Sequence, residues 1–95
     1  MKLEWNEAKN KRNIEKHGLD FSDAKDIFRA PMLTAPDTRF DYDEDRFVGI
    51  GFLKSIVVVV VFTEPQAGTI RIISLRKAVK RERVRYERAL KDRLG

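Results

Sequence analysis

Apolar and polar residues change rhythm several times along the chain, and each rhythm predicts an element. Leu3 and Trp5 alternate with Glu4, which suits a short opening strand. A first helix follows to about His17, with Asn6 as its cap and Gly18 as a left-handed stop. Its apolar positions are sparse (Ala8, Ile14), so it is expected to lie mostly exposed. Asp20 or Ser22 can cap a second, shorter helix that turns Ala24, Ile27 and Phe28 inward and ends at Pro31. Met32 to Ala35 lies between two prolines, the setting of an edge strand or a loop.

Asp37 to Asp45 is acidic and reads as a turn region. Phe47, Gly49 and Gly51 then alternate with Val48, Ile50 and Phe52. Ile56 to Phe62 is continuously apolar and mostly β-branched, the pattern of a central strand covered on both faces. Glu64 to Gly68 has turn chemistry and joins that strand to another over Thr69 to Leu75 as a hairpin. From about Lys77 to Leu94 the spacing is helical, with Val79, Tyr86, Leu90 and Leu94 near one face. The order is β-α-α-β-β-β-β-α. It predicts one α+β domain over residues 1–95, a small antiparallel sheet with N-terminal helices and a C-terminal helix.

Composition narrows the class. The absence of cysteine among the 95 residues excludes disulfides, thiolate metal sites and a cysteine nucleophile. The N-terminus has no signal-peptide-like apolar stretch, and the run from Ile56 to Phe62 is too short to span a bilayer, which takes ~20 residues as a helix. A cytoplasmic protein with no membrane association is therefore expected. The formal net charge of +5 points to an anionic partner. That charge is unevenly placed. Residues 71–95 carry ten Lys and Arg against three acids, a net of +7; the rest carries −2. Lys77, Arg81, Arg85 and Arg88 follow one another at helical spacing, where like charges repel. Such a surface is either a solvated helix face or a contact for a polyanion or acidic partner.

Asp41, Asp43 and Asp45 begin like a calcium loop, but Arg46 and Phe52 stand where Gly and Glu are required. With one histidine and no cysteine, no metal or other cofactor is expected. A charged set remains: Lys16, His17, Glu64, Arg71 and Arg76, with the helix cations and Tyr86. It suits metal-free RNA cleavage. A base takes the 2′-hydroxyl proton, an acid protonates the leaving 5′-oxygen, and cations stabilise the phosphorane. Glu64 or His17 can move the proton; Arg71 and Arg76 can grip phosphate oxygens with their planar forks.

Four ordered stretches carry a resemblance: Glu4-Trp5-Asn6-Glu7-Ala8-Lys9, Lys16-His17-Gly18-Leu19-Asp20-Phe21, Arg46-Phe47-Val48-Gly49-Ile50-Gly51, and Arg71 through Ala78 running on to Arg81-Glu82-Arg83 and Tyr86-Glu87. Over essentially its whole length the chain resembles the BrnT toxins of type II toxin–antitoxin systems. The resemblance implies a RelE-like fold, endoribonuclease activity that inhibits translation and growth, and neutralisation by a BrnA-like antitoxin. That antitoxin's ribbon-helix-helix part would carry the hetero-oligomer onto its own promoter DNA. The resemblance also implies a catalytic surface that draws on Lys16, His17, Glu64, Arg71 and Arg76, with Arg81 and Tyr86 contributed by the following helix; the cations Lys77, Lys80 and Arg85 are expected to join Arg81 and Tyr86 in binding RNA. Two departures stand out. Val79 replaces a Thr or Ser that would cap the last helix, and the loop Glu64 to Gly68 is slightly longer. The rival reading is a non-catalytic basic module for an acidic protein or nucleic acid. Direct DNA binding by the last helix lacks a helix-turn-helix before it.

Overall fold

The computed structural model describes residues 1–94. Five strands form one sheet: β1 (Lys2–Trp5), β2 (Leu33–Pro36), β3 (Phe47–Leu53), β4 (Ile56–Gln66) and β5 (Thr69–Lys77). Helices α1 (Glu7–His17), α2 (Lys25–Phe28, preceded by a 3-10 turn over Phe21–Asp23) and α3 (Lys80–Leu94) complete it. The spatial order is β1-β5-β4-β3-β2. The α+β class is as expected, with one difference in the sheet. β1 pairs with β5 in parallel, so the sheet is mixed rather than wholly antiparallel. Alternation along Leu3-Glu4-Trp5 carries no information about strand direction. Among the described residues, no helix is long and apolar enough to cross a membrane.

β4 is covered on both faces, as its unbroken apolar run predicts. Val58, Val60 and Phe62 join Phe21, Ala24, Ile27 and Leu75 in one core layer. Val57 and Val59 join Ile50 and Tyr86 in the other, beneath α3. At Gly51 a Cβ would come within 2.9 Å of Ile27 Cγ2, so glycine there lets α2 lie close on β3. β2 is an edge strand. Asp37 donates its N–H to Arg46 O, so in this register Pro36 occupies an outward-facing position. Its missing N–H leaves the sheet edge nothing to donate there.

The β4–β5 hairpin is tighter than its composition suggests. The strands run to Gln66 and resume at Thr69, with Gly68 at φ 83°. Glu64 therefore lies in a strand, not in a loop. In β5 the register steps between the Phe62–Ile72 and Val61–Ser74 pairs, leaving Ile73 as a bulge. The bulge reverses the phase of the strand. Ile70 and Ile72 face the first core, and so does Leu75. Arg76, paired with Val59, is turned onto the opposite face, the one Arg71 also uses.

Candidate functional site

The inward face of α1 is polar. Asn10 and Asn13 are its buried residues, and both amide atoms of each have a partner. Asn10 Oδ1 accepts from Phe21 N at 2.8 Å, and its amide donates to Asp20 at 3.0 Å. Asn13 Oδ1 accepts from Leu75 N at 3.1 Å; its Nδ2 donates to Leu75 O at 2.8 Å and Leu19 O at 3.0 Å. β1 has paired only as far as Ile72, so one side chain serves the β5 edge where the strand no longer does. Gly18, at φ 71°, then closes α1 by donating to Ile14 O. Because Leu75 immediately precedes Arg76, this docking sets the end of α1 against the end of β5.

The result is an open notch of about 490 Å³ lined by Lys16, His17, Arg76, Lys77, Val79, Arg81 and Glu82. Arg76 is held hardest. Its Nη1 and Nη2 donate to the two oxygens of Glu82 at 2.8 and 2.9 Å, and Nη1 also reaches Lys77 O at 3.3 Å. Glu82 Oε1 accepts Val79 N–H at 2.9 Å as well. The Arg76 fork holds the Glu82 carboxyl down at about 2, against partial burial and with help from the Val79 N–H. Val79 is the N-cap of α3: its carbonyl accepts Arg83 N–H at 3.0 Å. Its side chain has no oxygen for the cap, so Glu82 supplies the reciprocal half of a capping box alone. Sequence reading missed Glu82, although a glutamate three residues after a helix cap is a recognisable signal. Lys77 ends β5 rather than starting the helix, as α3 begins only at Lys80.

The predicted catalytic set is divided. Lys16, His17 and Arg76 meet in the notch; Glu64 and Arg71 do not. Arg71 pairs in register with Thr63, which places Glu64 beside the Arg71 end of the hairpin. Five residues of strand put that end ~16 Å from Arg76. There Arg71 donates to Glu4 Oε2, with Nε at 2.8 Å and Nη2 at 2.7 Å, across the parallel β1–β5 pair. The expected RNA contact by Tyr86 meets a physical obstacle. Tyr86 is 2% exposed, stacks edge-on against Phe52, and donates its hydroxyl to Pro31 O at 2.7 Å. Burial raises its pKa, and its ring belongs to the core. Its place on the apolar face of α3 already pointed that way.

Lys80, Arg81 and Arg85 do share a surface. With Arg88, Val84 and Ala89 they line a broad depression along α3 of about 810 Å³. Arg81 lines both this depression and the notch, so the two are continuous. A further cation comes from the acidic stretch. Arg39 is gripped by the buried Asp37 through Nε and Nη2, both at 2.9 Å, and its charge acts on Arg76. The same bonds, with one from Tyr42 OH at 3.2 Å, hold Asp37 at about 2. The region between β2 and β3 is thus tied down by an internal ion pair.

The notch presents an imidazole, two ammonium groups and two guanidinium groups beside the Glu82 carboxylate on one open surface. An imidazole ring has one nitrogen that can accept a proton and one N–H that can donate. The cations can bind a phosphodiester and stabilise charge that develops on it. Among the described residues, no three His, Cys, Asp or Glu side chains group as metal ligands would.

Comparison with known proteins bears on this chemistry. The family model described as "Ribonuclease toxin, BrnT, of type II toxin-antitoxin system" matches residues 5–82. That span takes in the whole notch and stops in the first turn of α3. The chain is also similar to the crystal structure of the Brucella abortus ribonuclease toxin, BrnT. The identity is 33%, the TM-score 0.65, and the match covers 84% of this chain and 99% of that one. No curated protein sequence matches the chain.

Proposed function

The chain belongs to the BrnT family of ribonuclease toxins from type II toxin–antitoxin systems, and we propose that it is a metal-independent endoribonuclease acting at the notch between α1, β5 and α3. The family implies an RNA target and an antitoxin partner. The observation that carries the proposal is the convergence of Lys16, His17, Arg76, Lys77 and Arg81 on one open surface.

In this mechanism His17 takes the proton of a 2′-hydroxyl. The 2′-oxygen forms a bond to the adjacent phosphorus, and the bond from phosphorus to the 5′-oxygen breaks. Lys16 supplies the proton that the leaving 5′-oxygen needs. The products are a 2′,3′-cyclic phosphate and a free 5′-hydroxyl. Arg76, Lys77 and Arg81 bind the phosphate and stabilise the charge of the phosphorane. The distance of Glu64 from Arg76 favours His17 over Glu64 in proton transfer. Glu64 and Arg71 then have a different use, a contact with RNA away from the cleaved bond. Lys80 and Arg85 extend the binding surface along α3.

The partner is proposed to be a BrnA-like antitoxin whose ribbon-helix-helix part carries the complex to its own promoter DNA. By covering the notch it would silence the toxin. The test is antitoxin-free protein incubated with RNA in EDTA. Cleavage leaving cyclic phosphate ends is expected. Intact RNA, together with harmless expression in cells, overturns the proposal. Arg76→Ala is expected to abolish toxicity; equal toxicity removes Arg76 from the mechanism.

A further inference from the structure

Glu82 is bound on both sides of the notch's floor. Its two oxygens take the whole fork of Arg76, and one of them also takes the N–H at the start of α3. Its side chain is 21% exposed and that of Arg76 40%, so the pair is sheltered but open to a ligand on the arginine side. A carboxylate engaged this fully, and held strongly acidic, is a poor proton acceptor near neutral pH. Arg76 has further reason to need a holder. It sits just past the bulge at Ile73, whose extra residue turns it onto this face.

We propose that Glu82 is the positioning residue of the site: it fixes the Arg76 guanidinium toward the phosphate and locks it to the first turn of α3. This rests on the proposed ribonuclease activity. Arg76 leaves its Nε–H and one hydrogen of Nη2 free of the Glu82 pair, and these are the donors the proposal assigns to phosphate oxygens. With its guanidinium already oriented, Arg76 does not have to be ordered in the transition state. The first-turn cation Arg81 is carried on the same short stretch of helix, so Glu82 also sets the spacing between Arg76 and Arg81.

The rival role is a helix cap alone, and Val79 allows the two to be separated. In Glu82→Gln the side chain keeps its shape but loses the charge that holds Arg76. Adding Val79→Ser restores a capping oxygen to α3 by a different route. The double variant Glu82→Gln/Val79→Ser is expected to keep its α3 amide protection while kcat falls ~100-fold, with KM changed less than about threefold. Adding Arg76→Ala to it is expected to cost less than Arg76→Ala costs the parent, because a misplaced Arg76 has already lost part of its contribution. A kcat within threefold of the parent, or losses that multiply, overturns the proposal.

A second measurement is independent of cleavage. In the parent the Arg76 guanidinium protons are expected to exchange slowly by NMR, and in the double variant fast, with α3 still protected. Slow exchange without Glu82 overturns the positioning role. An inert parent with this NMR result intact overturns the ribonuclease reading instead.

Discussion

Replacing Asn13 by alanine removes the amide that docks α1 onto β5, and the cost follows from its bonds. Leu75 N–H and C=O lose their partners at a buried position, with no strand beside them. A buried backbone group left unpaired costs ~1–3 kcal/mol. Leu19 O, the third partner, is less enclosed, and water can replace the amide there. Alanine is the better helix former, which returns ~0.5 kcal/mol. The net expectation is a loss of ~2–5 kcal/mol. A 95-residue domain has only ~5–14 kcal/mol to lose. At ~4–8 °C per kcal/mol, Tm is expected to drop by ~8–40 °C. Urea unfolding at pH 7 measures it, with Lys11→Ala on the exposed face of α1 as the control, expected within ~0.5 kcal/mol of the parent. A loss below ~1 kcal/mol with unchanged m refutes the reasoning. It would mean that the Leu75 groups find other partners and that α1 is held chiefly by something else.

Other changes test other parts. Val79→Ser alone is expected to stabilise the protein by ~1 kcal/mol in urea unfolding, since it completes the capping box with Glu82. Tyr86→Phe removes the hydroxyl that bonds Pro31 O, which water can reach, and is expected to cost ~0.5–1.5 kcal/mol by the same assay. Asp37 and Glu82 both sit at about 2 when folded, below their ordinary values, so the unfolded chain binds more protons in acid. Their contribution is complete above about pH 4.5 and is lost as pH falls toward 2, which the urea midpoint between pH 6 and 2 will show. RNA affinity is expected to fall steeply with salt, and Arg85→Ala to flatten the slope of log K against log salt by ~0.7. An unchanged slope removes Arg85 from the phosphate path.

Much of the fold is legible in the apolar rhythm, because burial and rhythm are the same fact in β4, α2 and the buried face of α3. α1 is where rhythm misleads. Its apolar residues are few, yet it docks by Asn10 and Asn13, whose amides satisfy backbone groups instead of burying carbon. No periodicity scale credits an inward asparagine. The site was half legible. The excess of cations at the C-terminal end located Arg76, Lys77 and Arg81, and the cap-and-stop pattern placed Lys16 and His17 at the end of a helix. The separation of Arg71 and Glu64 from them depends on strand length and register. The facing of Arg76 depends on a bulge, and one extra residue in a ladder leaves no mark in composition. Glu82 was passed over because acids in a basic helix read as charge balance.

The pairing of β1 with β5 also has a meaning in time. The first strand of the chain finds its partner only when residues 69–72 have been made, after every other strand. On the ribosome β1 and α1 therefore wait, and His17 and Arg76 share no surface until β5 has emerged. An abandoned or truncated nascent chain lacks the notch. A copy that stops short of β5 therefore carries α1 and its His17 without the surface that the rest of the sheet would complete.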